Sequence, residues 1–277
     1  MEEQIKQLLS TYGYDDQRTQ AWHDKRRDRI TASECTKSFN NATNSARFEL
    51  MMSKLLDPVV KGNSTAPSLI WGTRFESIAK EIYCHLEKVR IEDLTCVPHK
   101  DHDFLGASPD GIILSNDFKN GRLVEFKCPI SREFDDNTPV PDTYYHQMQL
   151  QMECTGMNEC MYIEMQFSKT NYTEWIDTQS EFKSCFAIRN TTQEVKYKSI
   201  HDTRTLEEWK NSFIEDVMDW QFIYWSMKKW RHLLIEKDKE WFPTYLPQMK
   251  ETWEEILKHR KDKTFPTLLR NTTILEL

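Results

Sequence analysis

The sequence predicts an α+β fold, and three observations carry that reading. Up to about residue 88 the apolar residues recur at helical spacing; from Leu94 to Cys128 the period shortens to that of strands; a helical pattern then returns between Pro141 and Gly156. At 277 residues the chain is long enough to bury a sizeable core. The expected division is a core over residues 1–200, including the N-terminal helices, and a helical C-terminal extension packed on it over residues 201–277.

Residues 1–12 read as a helix. "AWHDKRRDR" (21–29) is the densest basic run, and "TASE" (31–34) follows it with the Ser/Thr-x-x-Glu form of a capping box. A helix opening there points its N–H groups back at the basic run, a ready anion site. The next helix runs from about Asn44 to Leu56, with Phe48, Met51, Met52, Leu55 and Leu56 as its stripe and a stop at Asp57-Pro58. A longer helix from Ile70 to about Lys88 carries Trp71, Phe75, Ile78, Ala79, Ile82 and Leu86 on one face. Glu76 sits at the flank of that stripe, where a carboxylate ordinarily just meets solvent.

The strand runs "LTCV", "FLGA", "GIILS" and "RLVEFKC" read as an antiparallel meander. In the last of them Leu123, Glu125 and Lys127 share one face, and Val124, Phe126 and Cys128 share the other. The hairpin pairing brings Asp110 near Glu125. A Glu–Lys pair on an apolar strand is a poor stability device, because desolvation can cost as much as the attraction returns. With Asp110 and the Phe126 carbonyl, the same residues make an all-oxygen cage suited to Mg²⁺ or Mn²⁺, beside an ammonium that can orient a water. In "PDTYYHQMQLQMECTG" (141–156), Gln147 and Gln151 lie one turn apart on the face of Tyr144, whereas Gln149 leans toward Tyr145, Met148 and Met152. Three such amides are equally compatible with plain surface and with phosphate or water ligands.

Seven cysteines are scattered, none in a C-x-x-C pair, so disulfides, a zinc ribbon and an iron–sulfur cluster are disfavoured and a reducing compartment is expected. A net charge of −7 restricts any nucleic-acid contact to a local patch. No apolar run approaches the roughly 18 residues that span a bilayer, so an intracellular, soluble protein is expected. Beyond residue 168, "TNYTEWIDTQSEFKSCFAI" is expected to add strands. Residues 205–235 are expected to form a helix with Trp209, Phe213, Val217, Trp220 and Tyr224 at core spacing, while Phe222, Ile223, Trp225 and Trp230 fill its other faces.

"PDG" followed by "EFK" resembles the Asp…Glu-x-Lys signature of the PD-(D/E)xK nucleases. The ordered blocks from Trp22 and Arg26 through "ITASE", "WGTRFE", "GASPDG", "EFKCP" and "YYHQMQLQM" resemble the lambda exonuclease and YqaJ-type viral recombinase (alkaline exonuclease) family. That resemblance implies an α/β/α core, a central mixed sheet flanked by helices, and a Mg²⁺-dependent exonuclease, with Mn²⁺ as a substitute. It implies digestion of linear duplex DNA in the 5′→3′ direction, leaving 3′ single-stranded tails for recombination or replication. By motif match, Asp110, Glu125 and Glu76 are the metal-site carboxylates, Phe126 lends its carbonyl, and Lys127 is the catalytic lysine. Arg26, Ser33, Ser108 and Gln147, with Gln149, fall where the family binds a 5′-phosphate. The resemblance also implies a trimer, a single-strand annealing protein as partner, and a viral source acting in host cytoplasm or nucleus. Two alternatives are a structure-specific endonuclease of the same superfamily and a non-catalytic module that binds DNA ends. The "SNDFKNG" hairpin is longer than in the phage enzyme, and "NNATNS" offers no arginine for the arm that reaches into DNA there.

Overall fold

The computed structural model describes residues 2–13, 19–56, 66–214 and 217–268. In chain order, α1 (Glu2–Tyr12) and α2 (Gln20–Arg27) lead through β1 (Ile30–Thr31) to a 3₁₀ helix (Ala32–Ser38), then to α3 (Asn44–Leu55) and α4 (Pro67–Glu87). Five short strands follow: β2 (Arg90–Glu92), β3 (Val97–Pro98), β4 (Leu105–Ala107), β5 (Gly111–Leu114) and β6 (Leu123–Lys127). Next come α5 (Asp142–Thr155), the long β7 (Glu159–Thr170), α6 (Tyr172–Asp177), β8 (Lys183–Arg189) and β9 (Val195–Tyr197). The last elements are α7 (Leu206–Asn211), β10 (Trp220–Glu236) and α8 (Trp241–Asp262).

Local chemistry sets the ends of these elements. Thr19 and Thr43 accept backbone N–H bonds in the first turns of α2 and α3, and Pro67 opens α4, where its missing N–H costs nothing. Gly156 closes α5 at φ 72°, a left-handed position suited to glycine. The helix α3 ends at Leu55; the expected stop at Asp57-Pro58 lies outside the described residues. Its buried side is Leu50, Met51 and Lys54, while Leu56, expected in the stripe, is exposed.

Among the described residues, the main sheet has seven strands in the order β2-β5-β6-β7-β10-β8-β9. Its pairings are antiparallel except β6 with β7, and that parallel step requires the crossover that α5 supplies. The expected meander is split: β5 and β6 form a hairpin in this sheet, whereas β3 and β4 join β1 in a separate three-stranded sheet. Strand alternation then sorts the two faces. Val124, Phe126, Met161, Ile163, Met165 and Phe167 pack with Phe75, Ile78, Ala79, Ile82 and Tyr83 of α4. Leu123, Cys160 and Tyr162 face Met148 and Met152 of α5 and Ile5 and Leu8 of α1. The result is the helix–sheet–helix layering expected, and each large side chain so buried contributes about 1.5–3 kcal/mol.

Residues 205–235 do not form the single helix expected of them. Among the described residues of that span, α-helix is confined to Leu206–Asn211; a 3₁₀ turn at Val217–Asp219 leads into β10, 17 residues long and hydrogen-bonded between β7 and β8. Trp220, Phe222 and Tyr224 cover one sheet face with Trp209 and Phe213, and Ile223 and Trp225 fill the other. A register shift between Met227 and Lys229 then reverses the alternation, so Trp230 joins the α4 side and Leu233 and Ile235 the α5 side. A strand buried on both faces and broken by a bulge has no period-two signature to read. The expected strands after residue 168 are β8 and the end of β7, but Tyr172–Asp177 is a short helix capped by Asn171.

Beside the sheet, α8 packs Trp241, Met249, Trp253 and Ile256 against β1, the 3₁₀ helix, α3, β4 and α5. Trp241 Nε1–H donates to His146 Nδ1 (2.7 Å), which must therefore be unprotonated. Burial holds the His146 pKa below its ordinary value. Between the lowered native value and the ordinary histidine pKa of about 6.5 the unfolded chain binds more protons at this residue, so this contribution is complete above about pH 6.5 and is lost as pH falls through the native value. The melting temperature should drop between about pH 7 and about pH 5, and His146→Gln should flatten that slope; an unchanged slope in the variant contradicts the assignment.

Candidate active site

Glu125 is the starting point, a carboxylate 1% exposed on β6. The helix α5 crosses above it, and its one-turn spacing brings two amides down together. Gln147 Nε2 donates to Glu125 Oε1 (2.7 Å) and Gln151 Nε2 donates to Oε2 (2.6 Å). Lys127, two residues along the strand on the same face, donates from Nζ to Glu125 Oε1 (2.5 Å) and to Gln147 Oε1 (3.4 Å), and lies 4.4 Å from the centre of the Tyr144 ring. Asp110 precedes β5; its Oδ2 accepts the Phe126 N–H (2.7 Å), while its own N–H donates to the Val124 carbonyl (3.1 Å). The hairpin register therefore sets Asp110 beside the start of "EFK".

These groups open onto a cleft of about 190 Å³ lined by Glu76, Asp110, Glu125, Lys127 and Gln147, and by Trp22, Arg26, Ala32, Ser33 and Ser108. On the second side of the cleft, Arg26 Nη2 donates to Thr31 Oγ1 and Ser33 Oγ (both 2.9 Å) and its guanidinium lies 4.3 Å from the Trp22 ring centre. Trp22 Nε1–H donates to Ser108 Oγ (3.2 Å). The capping-box glutamate is in place, with Glu34 Oε1 accepting the Thr31 N–H (2.9 Å), although the helix it opens is 3₁₀.

Burial, and then the charges of Glu125 and Glu76, push the Asp110 carboxyl well above the ordinary carboxylate range. Burial works against a charge on Lys127, but Glu125 and Asp110 hold its pKa above the ordinary lysine value. Three carboxylates and a main-chain carbonyl are the donor set of a hard divalent cation, and such a charge relieves the repulsion felt at Asp110. Among the described residues, no group of three or more His, Cys, Asp or Glu side chains stands at metal-ligand spacing. Both Glu125 oxygens are occupied by amide and ammonium donors instead.

Residues 21–158 match the model of the YqaJ-like viral recombinase domain. The chain belongs to that family. A relative of Acanthamoeba polyphaga mimivirus is 24% identical over 69% of this chain, which spans 43% of that relative's length. The alkaline exonuclease LHK-Exo from Laribacter hongkongensis has the same fold, at a TM-score of 0.54 and 17% identity over 88% of this chain and 96% of that one. LHK-Exo in complex with dAMP gives 0.53 and 18% over the same shares.

Within this YqaJ-like domain, nine of the ten residues singled out from sequence meet at or beside the cleft: eight line it, and Phe126 joins through its backbone bond to Asp110. Gln149 does not. It points the other way, its Nε2 donating to the Glu236 carbonyl and its Oε1 accepting the Asp238 N–H (both 2.9 Å). It ties α5 to the end of β10 instead of entering the phosphate site expected of it. Gln151, one of the three amides read from the sequence, joins the site through Glu125, and Trp22, one turn before Arg26, lines the cleft beside it. Gln149→Ala should lower stability by about 1–3 kcal/mol in urea unfolding and leave DNA affinity unchanged; weakened DNA binding at unchanged stability contradicts that placement.

Proposed function

We propose that this protein is a metal-dependent deoxyribonuclease that digests linear duplex DNA from its 5′ ends and leaves 3′ single-stranded tails. The observation that carries the reading is a single cleft with two complementary walls. Glu76, Asp110, Glu125 and Lys127 supply the groups suited to phosphodiester hydrolysis, with Gln147 bonded to Glu125 beside them, and Arg26, Ser33 and Ser108 supply those suited to a terminal phosphate, which Gln147 can also reach from the cleft. The viral recombinase family and the alkaline exonuclease fold support DNA as the substrate.

Asp110, Glu125, Glu76 and the Phe126 carbonyl would hold Mg²⁺ or Mn²⁺. Such an ion, when bound, supplies Lewis-acid charge at the scissile phosphate and acidifies a water. Lys127 and Gln147 both act on Glu125 Oε1 and both line the cleft, so they are the partners that exchange when substrate arrives; Gln151 keeps its hold on Oε2. Lys127 orients the attacking water and offsets the charge that builds on the phosphoryl oxygens. Arg26, with the Ser33 and Ser108 hydroxyls, seats the terminal phosphate, and that seat determines which bond reaches the carboxylates.

The test is a Mg²⁺ time course on linear duplex labelled at one 5′ end, with and without a 5′-phosphate, beside covalently closed circular DNA. Early release of the label as mononucleotide, faster from the phosphorylated end, and an intact circle are expected. Lys127→Met should cleave about 100-fold more slowly or worse while still binding duplex. Cutting of the closed circle contradicts end specificity, and a wild-type rate in Lys127→Met contradicts the site.

A further inference from the structure

Behind the arginine wall of the cleft lies a buried ammonium. Lys54 of α3 is 4% exposed, and its Nζ donates to the Arg26 carbonyl (3.0 Å) and to Glu34 Oε1 (2.5 Å). The same Glu34 oxygen accepts the Thr31 hydroxyl (2.9 Å), and Thr31 Oγ1 accepts from Arg26 Nη2 (2.9 Å). A closed ring therefore runs from the Arg26 guanidinium through Thr31, Glu34 and Lys54 back to the Arg26 backbone. Arg260 of α8 braces it from outside, donating to the carbonyls of Arg27 (3.2 Å) and Lys54 (2.9 Å) and pairing with Asp28 (3.0 Å).

Stability alone does not account for this pair, since buried ion pairs are weak stabilisers compared with apolar packing. Charge balance gives a better reason. Burial raises the Glu34 pKa, but the charges of Lys54 and Arg26 overcome it and hold the carboxyl below its ordinary range. With Lys54 in place Glu34 is neutralised from behind, and the ring retains one net positive charge, which Arg26 carries at the cleft. Without Lys54, Arg26 is the cation left near Glu34, reached through Thr31, and its charge is quenched before any ligand arrives.

We propose that Lys54 is a positioning residue for the phosphate wall: by occupying Glu34 and the Arg26 carbonyl it keeps the Arg26 guanidinium placed and available for a 5′-phosphate. The inference rests on reading that wall as a terminal-phosphate site. The experiment is fluorescence anisotropy without divalent cation, comparing the affinities of 5′-phosphorylated and 5′-hydroxyl duplexes for wild type, Lys54→Met and Lys54→Met with Glu34→Gln, with thermal melts alongside. Wild type should prefer the phosphorylated end, Lys54→Met should lose about tenfold of that preference, and Glu34→Gln added to it should restore most of the loss. A general loss of packing does not give that rescue. Should Lys54→Met fail to fold, Lys54→Gln keeps a polar, hydrogen-bonding end, removes the charge and should show the same loss. Equal wild-type affinity for both ends overturns the pocket reading itself. A wild-type preference that survives in Lys54→Met or Lys54→Gln, or that Glu34→Gln does not restore, overturns only the role of Lys54.

Discussion

A carboxylate buried on a sheet face must be given donors, and the surroundings of Glu125 follow from that demand. An unpaired charge there would cost several kcal/mol. Three donors meet it: Lys127 from the same strand face, and Gln147 and Gln151 from α5. Those two amides can reach both oxygens only when α5 crosses above β6 in one register. The helix is also the crossover that lets β6 and β7 run parallel, so the central step of the sheet and the polar heart of the cleft are set by the same element.

The cleft's second wall depends on a different layer. The segment from α2 through the 3₁₀ helix is short and polar, and it is held by contacts from behind: the apolar face of α8, and the Lys54, Glu34 and Arg260 network. Two structural units thus meet in one opening, a carboxylate wall built on the sheet and α4, and a cationic wall built on α2 and the 3₁₀ helix. In a chain with net charge −7, this local placement is how a polyanion can be met at all.

The hairpin and its charges were legible in the sequence because they are short-range. The Asp110–Glu125 approach follows from strand pairing across one turn, and the alternation of β6 puts Glu125 and Lys127 together. The bounds of α5 were legible for the same reason, written in Pro141 and Gly156. What failed was β10, where Trp209, Phe213, Trp220 and Tyr224 fall at helical spacing by coincidence. Phe213 does meet Trp209 at 4.8 Å and Trp220 at 5.0 Å between ring centres, but Trp209 belongs to the short α7 and Trp220 opens β10. The apolar residues on every face, together with so many aromatics, were the signal of a central strand. The burial of Lys54 was illegible, because a lysine in an amphipathic helix reads as solvent-facing until its partners, 20 and 28 residues away, are known to lie beside it.

The proposed activity requires Asp110, Glu125 and Glu76 to hold a divalent cation together in this cleft. Calorimetric titration of Mn²⁺ into the wild type and into Asp110→Asn measures that binding free of any assumption about substrate. Saturable binding by the wild type, lost or strongly weakened in Asp110→Asn, is the predicted result. No binding by the wild type, or equal binding by both, would contradict it.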